Sequence, residues 1–182
     1  REKHGFKIAT GDFSHAEGVP QGAFDLVAMS DVIEHFPDPM RALSIAAKAL
    51  KPRGALYVLT PNFDGLPARI QKQHWGLVQP EHHLYYFTPA TLRAMLERNG
   101  FEIVAVRYRY LGLADLLFSA GALSRAGINI SDESKQAFRG KTKGLRDSIR
   151  KTINTIDSAI AAPLFRNSAI GVNIEMLAKK KS

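Results

Sequence analysis

Three features of this 182-residue sequence predict an α/β fold built on parallel strands. Phe24 to Met29 and Ala55 to Thr60 are short apolar runs without helical period, each closed by polar residues, as buried strands are. Between them, Pro37-Asp38-Pro39 opens a stretch with apolar residues at helical spacing. Residues 24 to 60 therefore read as a βαβ unit, whose crossover would be right-handed.

Taken in order, Arg1 to His4 followed by Gly5 reads as the last turn of a helix, and Phe6 to Thr10 as a short strand left through the turn Gly11-Asp12-Phe13. A polar connection leads through Gly22 to the strand Phe24 to Met29, which stops at Ser30-Asp31. In open parallel sheets ligands lie beyond the carboxyl ends of the strands, so Met29 to His35 sit where a small-molecule site is expected. Asp38 suits the N-cap and Pro39 the first position of a helix to about Leu50, with Met40, Leu43, Ala46, Ala47 and Leu50 as its apolar stripe. Lys51-Pro52-Arg53-Gly54 suits a tight turn before the strand Ala55 to Thr60, which ends at Pro61-Asn62 on the same rim.

Residues 62 to 87 form a long connection carrying His74, Trp75, Glu81, His82, His83, Tyr85, Tyr86 and Phe87, and such connections across a ligand edge often carry function. Thr88-Pro89 starts a helix to about Asn99, with Leu92, Met95 and Leu96 inward and Gly100 at the stop; Phe101 to Tyr110 is the next strand. Leu113 to Leu123 is an apolar helix, and Ser131-Asp132-Glu133 begins another. Leu145, Ile149, Ile153, Ile156, Ile160 and Leu164 keep steps of four and three on a helix whose other face carries Arg146, Arg150 and Lys151, and Pro163 should end it. Ala169 to Leu177 is a last strand, and Lys179 to Ser182 a frayed tail.

Composition is that of one globular domain, 45% hydrophobic and 23% charged, which excludes disordered and collagen-like classes. Without cysteine there is no disulfide framework, thiolate metal site or thiol nucleophile; this suits a reducing compartment, and the cytoplasm is the expected location. The net charge of +8 is uneven: residues 1 to 110 hold 13 Lys+Arg against 11 Asp+Glu, and 111 to 182 hold 12 against 6. The basic C-terminal part could meet an anionic or membrane surface, although a solvated face explains it as well. No aromatic-basic interleaving marks a nucleic-acid interface.

Several side chains carry chemistry. Glu34, His35, Glu81, His82 and His83 could offer metal ligands, but no HExxH or comparable spacing occurs, so no metal is expected. Gly140-Lys141-Thr142 lacks the glycine and the leading strand of a phosphate loop. Histidine suits a base near neutral pH, and Tyr85, Tyr86, Phe87 and Trp75 could wall an acceptor pocket or pack in the core.

The order GDF, FDLVAMSDVIEHFPDP, LKPRGALYVLTPN and HHLYYFTPATLRAMLERNGFEIV, closed by a late strand, resembles the later two-thirds of a class I S-adenosylmethionine-dependent methyltransferase. It is similar in style to the group that includes the ubiquinone-biosynthesis O-methyltransferases and many small-molecule methyltransferases. The resemblance implies a Rossmann-like sheet of order 3-2-1-4-5-7-6, with residues 1 to 110 and 169 to 182 as core and 111 to 168 as a helical insertion or lid. The glycine-rich loop and the acidic residue for the ribose would lie upstream of Arg1. The chain is thus expected to be a fragment without the first two strands, to expose its Phe24 to Met29 strand as an edge, and to bind S-adenosylmethionine weakly or not at all by itself.

By the same resemblance Asp12 would accept from the adenine amino group, Phe13 would meet the ring edge, and Met29, Ser30 and Asp31 would face the methionine part of the cofactor. Methyl transfer to oxygen or nitrogen is an in-line displacement that needs an aligned, dry and sometimes deprotonated nucleophile. His83 is the leading base and His35 the second, with Glu34, His74, Trp75, His82 and Tyr86 on the side of a small-molecule acceptor. A catalytically silent binding or scaffold module with a basic helical face, or an RNA methyltransferase, are the alternative readings.

Overall fold

The computed structural model describes residues 13–16, 18–109, 148, 151–153, 155, 156, 159 and 169–181. Four strands, β1 (Phe24–Ser30), β2 (Leu50–Pro61), β3 (Phe101–Arg109) and β4 (Asn173–Lys180), form one sheet in the order β1-β2-β4-β3. β1 and β2 are parallel, and β4 lies antiparallel between β2 and β3. This is the 4-5-7-6 part of the expected order. The expected strand Phe6 to Thr10, Asp12, and the helices from Leu113 and Ser131 lie outside the described residues. Within the expected helix 145 to 164, residues 151–153, 155 and 156 are helical.

The crossover from β1 to β2 is α1 (Pro39–Ala49), capped by Asp38, whose Oδ1 accepts from the Arg41 N–H at 2.9 Å. Its buried stripe is Ala42, Leu43, Ala46 and Ala49. Met40, expected inside, lies one step round the helix and is 40% exposed. α3 (Pro89–Arg98) starts in a capping box: the Thr91 N–H donates to Thr88 Oγ1, and the Thr88 N–H to Thr91 Oγ1. It buries Leu92 and Leu96 and ends at Gly100, whose φ of 80° is the left-handed stop that glycine adopts without strain.

One face of the sheet carries the core. Met29, Leu56, Val58, Ile174, Met176 and Ala178 pack in a single cluster with Ile33, Leu43, Ala46, Leu92, Leu96 and Phe101. Alternation explains the selection, because even-numbered residues of β2 and β4 share that face. Among the described residues β1 ends the sheet, with Phe24 and Leu26 42% and 55% exposed, as expected of a strand at the edge.

Two boundaries differ from expectation. Lys51 to Gly54 do not separate helix from strand. β2 already pairs at Leu50, and the register then jumps from Phe24↔Leu50 to Leu26↔Ala55, so the expected turn is a bulge within the strand, with Arg53 at φ 61°. The last strand begins and ends later than Ala169 to Leu177, because Asn173 to Lys179 pair with β2 and Asn173 to Lys180 with β3. The expected frayed tail is held in place: Lys180 Nζ donates to Leu50 O at 3.0 Å and the Lys181 N–H to Gly100 O at 2.8 Å.

At the rim, the loop after β2 is bolted to the loop before β4. Asn62 is fully buried; its Nδ2 donates to Ala169 O and Gly171 O, both at 2.9 Å, and its Oδ1 accepts from the Asp64 N–H at 3.1 Å. Gly65, at the start of the short helix α2 (Leu66–Gln71), leaves no room for a side chain: a Cβ there would lie 2.4 Å from Gly171 O. Gly65→Ala should therefore cost about 1–3 kcal/mol by forcing two backbones apart. An unchanged midpoint in thermal denaturation would show that the loops are not held at this distance.

Candidate active site at the sheet rim

β1 ends at Ser30, and Asp31 turns the chain over the rim in the left-handed region, at φ 49°, a conformation aspartate tolerates better than most residues. Its N–H donates to Leu59 O at 2.9 Å, which ties the turn to β2. The chain then makes one 3₁₀ turn, Ile33–His35, with Ile33 in the core.

That anchor carries Glu34 inward, where it is 1% exposed. Glu34 Oε2 accepts from the Thr60 hydroxyl at 2.9 Å, and Oε1 is buried without a hydrogen-bond partner. A buried carboxylate oxygen with no donor is costly, so the arrangement is suited to a ligand that supplies one, or a cation.

Residues 82 to 85 strap onto the same turn. The N–H groups of Leu84 and Tyr85 donate to Glu34 O at 2.9 and 3.2 Å, and the Tyr85 hydroxyl donates to Pro37 O at 3.2 Å. Each neighbouring imidazole is held by its Nδ1: His35 Nδ1 lies 2.7 Å from His82 O, and His83 Nδ1 lies 2.7 Å from Leu77 O. A carbonyl can only accept, so Nδ1 carries the proton and Nε2 of each neutral ring keeps its lone pair. His35 Nε2 is 3.9 Å from Glu34 Oε1, and the two rings meet edge to face with centroids 4.8 Å apart. One ligand atom from each of Glu34, His35 and His83 lies within 4.8 Å of the others. His35 is exposed and His83 half-buried, so this group opens to solvent above a buried acid.

The remaining candidates fall in different places. Tyr86 joins the group from the side, its ring centroid 6.5 Å from that of His83 and 4.8 Å from that of Phe63, with a buried hydroxyl that has no partner. His82 contributes its carbonyl and leaves its side chain exposed. His74 is exposed beside Gln73, outside the contacts that join Glu34, His35 and His83. Trp75, expected to face an acceptor, is instead 2% exposed in a small core with Ala68 and Val172, because the loop containing α2 needs an apolar anchor of its own.

Of the residues expected to face the cofactor, Ser30 and Asp31 are exposed at the rim, whereas Met29 turns its side chain into the core and has only its main chain to offer. Phe13 sits in a 3₁₀ turn with its ring centroid 6.4 Å from that of Phe36. On the sheet's other face Tyr57 donates to Glu175 Oε1 at 3.0 Å, and Glu175 is also paired with Arg109. Burial, and then Glu175, push the Tyr57 hydroxyl above its ordinary range, so it stays protonated and is no base.

Thr60 is the participant that sequence reasoning missed. Its signal is a hydroxyl at the polar end of an otherwise apolar strand. The Asn62 clamp was also unforeseen, because its partners are main-chain carbonyls 107 and 109 residues away.

Comparison with known proteins agrees with this architecture. The matched stretch is 28% identical to the ubiquinone biosynthesis O-methyltransferase of Idiomarina loihiensis over 95 residues, 46% of this chain and 37% of that protein. It is 45% identical to the enzyme of the same name from Caulobacter vibrioides over 58 residues, 32% of this chain and 22% of that protein. The match thus spans only 22% to 37% of the length of these curated relatives. An S-adenosylmethionine-dependent methyltransferase from Thermotoga maritima superposes with a TM-score of 0.57 at 17% identity, covering 97% of this chain and 65% of that one, a likeness of fold. The profile of the family described as methyltransferase domain matches residues 2–106, more than half of the sequence, and the chain belongs to that family.

Proposed function

We propose that the complete protein carrying this chain transfers a methyl group from S-adenosylmethionine to a small-molecule acceptor oxygen or nitrogen. The observation that carries the reading is the meeting of a buried, unpaired carboxylate oxygen with two oriented imidazoles at the carboxyl ends of two parallel strands. The donor set fits the cofactor: the Asp31 carboxylate and Ser30 hydroxyl are exposed acceptors for a cationic amine, and Phe13 offers an aromatic ring beside Phe36. When bound, the cofactor supplies an electrophilic methyl on a sulfonium.

The chain's own groups do the rest. His83 accepts the acceptor's proton at Nε2, with Leu77 O fixing the tautomer, and His35 is the second candidate for that role. Glu34 Oε1 receives a hydroxyl or ammonium hydrogen and so sets the acceptor's orientation. Tyr86 offers its free hydroxyl at the inner end, and the straps at Leu84 and Tyr85 keep the floor rigid.

The test is transfer of labelled methyl from S-adenosylmethionine to a panel of phenols, carboxylates and amines by the complete protein. Acceptor-dependent incorporation is expected. Failure with every class, together with no binding of S-adenosylhomocysteine, would overturn the proposal. Among the described residues no helix is long and apolar enough to cross a membrane.

A further inference from the structure

The end of the sheet away from the candidate active site holds a second concave feature. Lys51 to Gly54 bulge out of β2, and the end of β4 and the start of β3 lie beside them, since Lys179 pairs with Ala55 on one side and Glu102 on the other. Together they wall an open cavity of about 520 Å³ whose lining includes Arg53, Glu102, Val104, Lys179, Lys180 and Lys181. β2 runs from Ala55 to Pro61 between this cavity and the rim that carries Glu34 and His83, roughly 20 Å at about 3.3 Å per residue. Ligands of open parallel sheets bind beyond the carboxyl ends of the strands, so the fold by itself does not account for a basic hollow at the amino ends.

We infer that this cavity binds a small polyphosphate anion, of the kind a nucleoside triphosphate carries. Four cations line it against one carboxylate, Glu102. Lys51, on the same bulge, is already paired with Asp25 at 2.8 Å, and Lys180 Nζ donates to Leu50 O at 3.0 Å, which pins the bulge to β4. The side chains of Arg53, Lys179 and Lys181 are exposed and have no hydrogen-bond or ion-pair partner among the described residues. Like charges gathered in one hollow repel each other, and a multiply charged anion with several acceptor oxygens relieves all of them at once. The backbone holds Arg53 at φ 61°, a region costly for a residue with a Cβ, and such strain collects where a side chain is held for a ligand. Glycine would sit there without strain, but only arginine offers a planar fork that matches two phosphate oxygens. Val104, 49% exposed, adds an apolar surface against which a ring can lie, and the volume is that of a small-molecule pocket.

The inference concerns binding and stands apart from methyl transfer. Isothermal titration of the untagged full chain at low ionic strength should find one inorganic triphosphate or one ATP per chain, with AMP weaker and adenosine not bound. ATP tighter than triphosphate identifies a nucleotide as the occupant, and equal affinity an inorganic polyphosphate; both support the inference. R53G, K179Q and K181Q should each weaken triphosphate by about threefold to tenfold, as loss of one partly exposed charged contact does, and the three together by about thirtyfold or more. R53G should not lower the melting temperature, because glycine relieves the backbone at that position. K72Q removes the same charge from the loop at the other rim and should leave binding unchanged. Circular dichroism of each variant reports whether it still folds. No saturable binding of triphosphate, equal binding by the folded single variants, a loss in K72Q as large as in R53G, or displacement of triphosphate by S-adenosylhomocysteine would overturn the inference.

Discussion

His83→Ala should lower the turnover number for methyl transfer by about 10²–10⁴, the usual contribution of a positioned general base, with KM changed far less. The reason is local. The ring is held by its Nδ1 on Leu77 O at 2.7 Å, which leaves Nε2 with the lone pair, and the His83 and Glu34 side chains come within 4.8 Å of each other. The loss should not come from unfolding, because His83 is only half-buried and stands outside the main core cluster. His83→Asn separates two roles. Its amide can still donate to Leu77 O but offers no basic nitrogen, so it should be as slow as the alanine variant. Restoration of the parent rate by asparagine would reduce His83 to a brace for the loop.

Asn62→Ala should destabilise the fold by about 2–5 kcal/mol. Three hydrogen bonds of about 1 kcal/mol each are lost, and the buried Gly171 carbonyl loses its side-chain donor, which adds desolvation. For a chain of this size each kcal/mol moves the melting temperature by about 2–4 °C, so a fall of roughly 4–20 °C is expected in calorimetry. Asn62→Asp is the sharper comparison. It keeps the shape but points a carboxylate at two carbonyl oxygens 2.9 Å away, so it should be at least as damaging as alanine at neutral pH. An aspartate variant as stable as the parent would show that shape, and not the two donated hydrogens, holds the rim together.

Local chemistry made much of this protein legible. Asp38 and Pro39, or Thr88 and Pro89, announce a helix through groups within one turn of each other, so the starts of α1 and α3 could be placed from sequence. The apolar runs marked β1 and the main part of β2, while motif order implied the strand order later seen in the sheet. The errors lay where a distant partner decides. β2 begins at Leu50 because Phe24 is there to pair with it, and Lys180 belongs to a strand because its backbone pairs with Phe101. Trp75 faces inward because α2 and Val172 close over it.

The candidate site divides along the same line. The sequence alone determined that a polar rim follows two buried strands, that Glu34 and His35 stand on it, and that His83 precedes a capped helix. Only the tertiary structure decided that these three meet, that Glu34 is buried with one oxygen on Thr60 and one unpaired, and that both imidazoles are held by Nδ1 on main-chain carbonyls. The physical reason is range. Caps and periodicity act over a few residues and are written in neighbours, whereas the burial of Glu34 and the tautomer of His35 depend on Thr60, Leu84 and His82, 26 to 50 residues away, which no local pattern specifies.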